Sequence, residues 1–363
     1  MFIKESRTAS NIAMSYIGAV VGAGFISGQE NLKFFLPFGI NGILGTLMAG
    51  ILFGAIGSII LQISYRLRVS SYRDLIIHVM GRRLSAVIDL ALIFFLMGTL
   101  GVMLAGAGEL FKAEFAFMEI IGVLFTVASL IIALSYGLDS ILWINRRLVP
   151  LLICIGPLVA AIAIWNWPGV AQVQSNLNYD KFHLLPGACT LSVLLYVSYN
   201  LLLSLSFLAA LGGEVQGEKA AISGGWIGGI ILGFMAGMNQ LAIHLYKREI
   251  AGSEFPMLLL AGNYSSLLQG LYIFTLWAAI FTTALSNLYG LSRRLGDMIG
   301  CDWRSTVGPL LGIGILLSRV GFSNLIGIVY PIFGYIGLSF IIMVIVKSPM
   351  RERHLWFFFH RRD

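Results

Sequence analysis

Apolar runs of about twenty residues follow one another along almost the whole chain, with short polar connections between them. A helix rising about 1.5 Å per residue needs roughly that length to cross the hydrocarbon core of a bilayer. In hydrocarbon every backbone N–H and C=O must be paired inside the protein, so such runs read as membrane-spanning α-helices. No stretch of alternating polarity suggests the strands of a barrel. Charged residues make up 11% of the chain, against about 25% in a soluble domain. The net charge of +7 does not call for nucleic acid as a partner, because basic residues on cytoplasmic connections account for it.

Taken in order, the runs predict ten spans, at 10–38, 42–65, 84–111, 116–136, 141–166, 187–212, 220–245, 267–292, 305–320 and 323–346. Residues 71–80 mix charged and apolar side chains and predict a short helix along the membrane surface, with Ser71 and Asp74 spaced as a capping pair. The connection 246–266 reads as an external cap or a partly re-entrant loop. The basic and aromatic tail, 347–363, reads as cytoplasmic and resting on the membrane. Lys4 and Arg7 precede an apolar run, as in a signal peptide, yet the run continues into a second helix, so no cleavage is expected. With both termini in the cytoplasm, the inner segments carry eighteen Lys and Arg and the outer segments six. That asymmetry supports ten crossings and this orientation in a cytoplasmic membrane. Cys154, Cys189 and Cys301 are odd in number, and no disulfide framework is expected.

Five spans fill 10–166 and five fill 187–346. Five is odd, so the second half enters from the opposite side of the membrane. The chain thus reads as two inverted five-helix repeats, an architecture that places a binding site near the midplane, between the halves. The first span carries the strongest local signal. Its helix-compatible run from Ile12 to Val21 meets Gly22, Gly24 and Gly28, then Ser27, Gln29 and Glu30, before a second run from Asn31 to Phe38. Interrupted backbone at membrane depth is tolerated where it is buried in protein or lines a cavity, and there its free N–H and C=O groups can hold an anionic group and a cation. The competing reading is a kinked helix with close-packed glycines. The sixth span, partner of the first under the repeat, has the polar run Tyr196-Val197-Ser198-Tyr199-Asn200 and is expected to be broken there too, although it lacks glycine.

Other polar positions carry two readings each. Ala279, Thr282, Thr283 and Ser286 share one face of the eighth span. Their oxygens suit a small hard cation such as Na⁺, or else bond their own helix. Glu30 and Glu109 are acids in or near spans, hence candidate proton sites. Alternatively Glu30 pairs with Lys33 at i+3, and Glu109 reaches water. Asp89 reads as an interfacial or ion-paired acid. Gly225, Gly229, Gly233 and Gly237 recur every fourth residue, as in a ridge for close helix packing.

The run Gly22-Ala23-Gly24-Phe25-Ile26-Ser27-Gly28-Gln29-Glu30, with Phe34-Phe35 and Phe38-Gly39 after it, resembles the signature of the YkvI-like family of bacterial membrane proteins. That family is similar to the amino acid–polyamine–organocation superfamily, with the LeuT-type fold and discontinuous helices 1 and 6. The resemblance implies a solute held by Val21, Gly22, Ala23 and Gly24, with Ser27 in the same candidate set and Tyr196 and Tyr199 as wall or gate. It implies a Na⁺ site made by the carbonyls of Gly18, Val21 and Ala279 and the hydroxyls of Thr282 and Thr283. Helices 1, 2, 6 and 7 would rock against a scaffold of 3, 4, 8 and 9. The expected function is symport of a small organic solute, an amino acid or related zwitterion or amine, with Na⁺ or H⁺, or else sensing of such a solute without transport. No HExxH, paired aspartates or Ser/His dyad suggests an enzyme. No organic cofactor is expected, the bilayer and a small solute are the expected partners, and the oligomeric state is left open.

Overall fold

The structure, a computed structural model, describes residues 9–69, 72–115, 118–136, 138–168 and 187–347. The connection 169–186, Ser71 and the tail after Lys347 lie outside the described residues. Among the described residues all regular structure is helical. The first predicted span is divided: α1 (Ala9–Val20), α2 (Ala23–Ser27) and α3 (Gln29–Phe34), then a 3-10 turn at Leu36–Phe38. Next come α4 (Ile40–Leu67), α5 (Tyr72–Phe115), α6 (Glu119–Ser135) and α7 (Leu138–Trp165). The second half holds α8 (Ala188–Glu214), α9 (Glu218–Leu245), α10 (Pro256–Tyr264), α11 (Ser266–Ile299), α12 (Trp303–Ser318) and α13 (Phe322–Val346). Six of these, α4, α5, α8, α9, α11 and α13, are long and apolar enough to cross a membrane.

Local chemistry explains the main interruptions. α5 is bent at Gly81, whose φ of 79° and ψ of 167° are not helical. A positive φ is open to glycine at little cost, so residues 72–80 form a short helix before the long apolar one. Pro256 opens α10 at a position where its missing N–H leaves no intrahelical bond unmade. α10 is buried along Met257, Leu258, Leu260 and Ala261, so the connection 246–266 is packed into the protein.

One expectation is corrected. α8 runs without a break from Ala188 to Glu214, straight through the polar run. The side chains of that run bond their own helix: Ser198 Oγ donates to Leu194 O at 2.5 Å, Asn200 Nδ2 to Tyr196 O at 3.0 Å and Ser204 Oγ to Asn200 O at 2.8 Å. Polar groups satisfied in this way leave the i→i−4 ladder intact, and no glycine is present to open it.

Packing divides the helices into two groups. α1, α4, α8 and α9 pack on one another, while α5, α6, α11 and α12 pack among themselves. α13 lies against both α8 and α5. The α4–α9 contact is the most extensive, and the glycine ridge makes it. Gly225 lies on Ser58, Gly229 on Gly54, Gly233 on Gly50 and Gly237 on Thr46, a descending match every four residues between antiparallel helices. A Cβ on Gly229 would stand 2.0 Å from the Gly54 nitrogen, and one on Gly233 would stand 2.4 Å from the Gly50 Cα. Such backbone contact lets dispersion forces hold helices together where lipid removes the hydrophobic drive.

Gly229→Val should therefore destabilise the protein by about 1–3 kcal/mol through overpacking, whereas Gly312→Ala, which meets open space, should leave it unchanged. Thermal unfolding of the purified variants in detergent checks this, and equal melting points would show that the ridge does not set the helix spacing.

Candidate functional site

The first helix stops at Val20, and the chain re-enters a helix at Ala23. Val21 N donates to Ile17 O at 2.8 Å, which closes the last turn of α1. Gly22 is extended, with φ −113° and ψ −172°, and Ile26 N returns to Gly22 O at 3.1 Å. Among the described residues no N–H donates to the carbonyls of Gly18 or Val21. A second interruption follows at Gly28, left-handed at φ 83°, which ends α2 and begins α3. Ile243, Met257 and Pro256 press on Gly28, with a hypothetical Cβ only 2.9–3.1 Å from them.

A tyrosine from a distant helix occupies one carbonyl at the breaks, and side chains of the broken segment bond groups on other elements. Tyr272 of α11 donates its hydroxyl to Ile26 O at 2.5 Å. Gln29 Nε2 donates to Ser253 O and Glu254 O, both at 2.9 Å, and Ser323 Oγ donates to Gln29 Oε1 at 3.3 Å. Asn31 Nδ2 donates to Ala236 O at 3.0 Å and to Gln240 Oε1 at 3.3 Å. Ser27 turns inward on its own chain, donating to Gly24 O at 3.0 Å and accepting from Gln29 N at 3.2 Å. Its hydroxyl therefore holds the α2–α3 turn.

The break faces α11. A Cβ placed on Gly22 would lie 3.4 Å from Thr283 Oγ1, so the interruption and the hydroxyl face of α11 meet. On that face Thr282 Oγ1 donates to Ala279 O at 3.2 Å. Of the broken segment it is α2, rather than α1 or α3, that packs closely on α11. Hydroxyl oxygens such as those of Thr282 and Thr283 are hard donors of the kind that hold small cations such as Na⁺.

Beyond Gly28, Glu30 is buried, at 3% exposure. Its carboxyl lies against Tyr199, Asn200 and Tyr196 of α8. Among the described residues, its Oε2 and the hydroxyls of Tyr196 and Tyr199 close no hydrogen bond. The rings around it form a connected cluster: Phe34 stacks on Tyr199 at 5.4 Å, Tyr199 on Tyr330 at 4.5 Å, and Tyr196 meets Phe35 and Phe53 edge-on at 4.9 and 5.8 Å. Lys33 does not form the i+3 pair with Glu30. It is exposed and its Nζ lies near Gly327 of α13. Among the described residues no Lys, Arg or His pairs with Glu30.

Glu109 is not part of this group. It stands 3.6 Å from Lys112, which also binds Glu119. Asp89 is ion-paired to Arg294. Of the expected residues the structure brings Gly22 to Thr283 across the break, and Glu30 to Gly24, Tyr196 and Tyr199 beyond it. Tyr272 and Tyr330 complete these groups and are not evident from sequence spacing, while Gln29 already stands in the polar stretch of the break. An aromatic or amide in a span is common, and its partner lies on another helix.

No family model matches the chain. It is 30% identical over 362 residues to the uncharacterized membrane protein YkvI of Bacillus subtilis (strain 168), covering 97% of this chain and 99% of the relative. It is 27% identical over 338 residues to the uncharacterized protein YyaD of the same organism, covering 91% and 94%. Among solved structures it is similar to a Na⁺-coupled sialic acid symporter in a substrate-bound outward-open state, at a TM-score of 0.60 and 13% identity over 93% of this chain and 78% of that one. It is also similar to MhsT in complex with L-phenylalanine, at 0.59 and 15% over 91% and 87%. Mhp1, a nucleobase-cation-symport-1 family transporter, matches at 0.55 and 15% over 94% and 80%. These likenesses show the fold: the helices are arranged as in LeuT-type transporters.

A methyl on Gly24 would stand 2.5 Å from Glu30 Oε1. Gly24→Ala should therefore cost about 1–3 kcal/mol, and much of that loss should return in Gly24→Ala/Glu30→Ala. Melting the four proteins of this cycle measures the coupling, and additive losses would mean that the two residues do not touch.

Proposed function

The chain belongs to the YkvI family of bacterial membrane proteins, and from this premise we propose that it is a secondary transporter that carries a small organic solute by alternating access. The solute is an amino acid or a related zwitterion or amine, and its movement is coupled to Na⁺ or H⁺. The observation that carries this reading is the interruption between Val20 and Ala23, where among the described residues no N–H donates to the Gly18 and Val21 carbonyls and Gly22 meets Thr283 of α11. A buried helix break offers N–H groups to a carboxylate and C=O groups to a cation, the two ends of a zwitterion.

In this reading α1 to α3 count as one crossing, and the chain crosses ten times as two inverted repeats, 10–166 and 187–346, with both termini cytoplasmic. The solute meets Val21, Gly22, Ala23 and Gly24, and Tyr196 and Tyr199 form the wall beside it. Na⁺ as co-substrate fits the carbonyls of Gly18, Val21 and Ala279 with the hydroxyls of Thr282 and Thr283. Such a cation would tie the moving group (α1, α4, α8 and α9) to the scaffold through the α1–α2 break and α11. Glu30 is the candidate for the alternative coupling ion. A buried carboxyl without a basic partner is costly when ionised, and a proton, or the amine of the solute, compensates it.

Melting of the purified protein against amino acids, amines and guanidino compounds, in Na⁺ or in K⁺, tests the reading. A ligand at about a hundred times its Kd adds about 2.7 kcal/mol. For a Na⁺-coupled carrier the stabilisation is larger in Na⁺, and Thr283→Ala removes that difference. For a proton-coupled carrier uptake into vesicles persists in K⁺ and is lost in Glu30→Gln. Binding without accumulation in vesicles would make the protein a solute-sensing receptor and overturn the transport reading.

A further inference from the structure

A cavity of about 580 Å³ lies at the opposite end of the scaffold from Glu109, between the first turns of α5 and the last turns of α11. It is lined by Arg73, Arg82 and Arg294, with Asp89, Ser85 and Leu90 among the other walls. The one carboxylate in the lining is already occupied. Asp89 Oδ1 accepts from the Tyr72 hydroxyl at 3.0 Å and from Arg294 Nε at 3.1 Å, and its Oδ2 binds the other arm of Arg294. Ser85 Oγ donates to Arg82 O at 2.8 Å. The guanidinium groups of Arg73 and Arg82 form no hydrogen bond or ion pair among the described residues. With Arg294 paired to Asp89, the guanidinium groups of Arg73 and Arg82 leave the lining with two net positive charges.

The surface that continues from this cavity is apolar. Leu84, Val87, Leu90 and Phe94 are all exposed, and their spacing of three, three and four residues places them on one face of α5. Met298 and Ile299 at the end of α11 are also exposed. A basic cavity that opens onto a stripe of outward-facing apolar side chains matches a ligand with an anionic head and hydrocarbon tails. The short helix 72–80 that forms the basic wall is held in place, since Lys347 Nζ at the end of α13 donates to His78 O at 3.0 Å.

We infer that this cavity binds the headgroup of an anionic phospholipid, with its phosphate between Arg73, Arg82 and Arg294 and its acyl chains along the Leu84–Phe94 face. Guanidinium groups suit phosphate because their paired N–H donors match its oxygens. Basic pockets between helices near a membrane surface bind such headgroups for the same reason. The site is separate from the helix break, so it stands whether or not the chain transports a solute.

The full-length protein, stripped of lipid in detergent, is offered phosphatidylglycerol or phosphatidylcholine with identical chains, and bound lipid is counted by native mass spectrometry. The expected result is preferential retention of phosphatidylglycerol, reduced about tenfold in Arg73→Gln/Arg82→Gln and unchanged in Arg319→Gln, an exposed arginine outside the cavity. Retention by the wild-type protein should also fall as salt is raised, which gives a readout that needs no variant. Equal retention of the two lipids, a loss no greater in the double variant than in Arg319→Gln, or indifference to salt would overturn the proposal. So would an equal rise in melting point with glycerol phosphate alone, which would mark a site for soluble phosphate.

Discussion

Open backbone in a low-dielectric interior is the constraint on which the rest of this structure depends. Each unpaired N–H or C=O in hydrocarbon costs several kcal/mol, and the first helix is interrupted twice within eight residues, at Gly22 and at Gly28. The chain tolerates this because other helices supply partners. Tyr272 reaches from α11 to Ile26 O, and Gln29 ties the second break to the 253–254 turn and to the start of α13. Among the described residues the carbonyls of Gly18 and Val21 receive no such partner, and the neighbouring Gly22 meets Thr283 of α11.

A broken element needs rigid neighbours, and close packing supplies them. The α4–α9 ridge brings backbone onto backbone at Gly50–Gly233 and Gly54–Gly229. α13 approaches α8 in a similar way, since Gly334 and Gly337 lie on the Leu195 and Ser198 carbonyls. The α13 contacts hold α8 at the position where Tyr196 and Tyr199 meet Glu30. The aromatic cluster then spans α3, α8, α13 and α4, so displacement of any one of these helices would disturb the surroundings of the carboxyl.

The contrast between the two polar stretches shows how far the sequence could be read. In the first span glycines at 22, 24 and 28 signalled interruption because they carry no Cβ and tolerate positive φ, and the structure is non-helical at Gly22 and Gly28. In the sixth span the run Tyr196 to Asn200 looked similar by polarity, yet Ser198 and Asn200 bond carbonyls of their own helix. Polarity reports that hydrogen bonds must be made, and it does not say with what. The same limit applies to Glu30. Its spacing to Lys33 allowed a local ion pair, but Lys33 points to α13 and the carboxyl turns to α8.

The sequence by itself determined what depends on local chemistry and on the solvent. Length and apolarity of the runs required helices in a bilayer, glycine positions placed the interruption of the first span, and the four-residue glycine repeat marked a packing face. Only the tertiary structure decided which groups met across the bundle: Thr283 with Gly22, Tyr272 with Ile26, Tyr196 and Tyr199 with Glu30, and the arginines of α5 with the end of α11. Those pairings depend on the rotation and depth of each helix. Rotation and depth are set by the packing of all helices together, and no single segment encodes them.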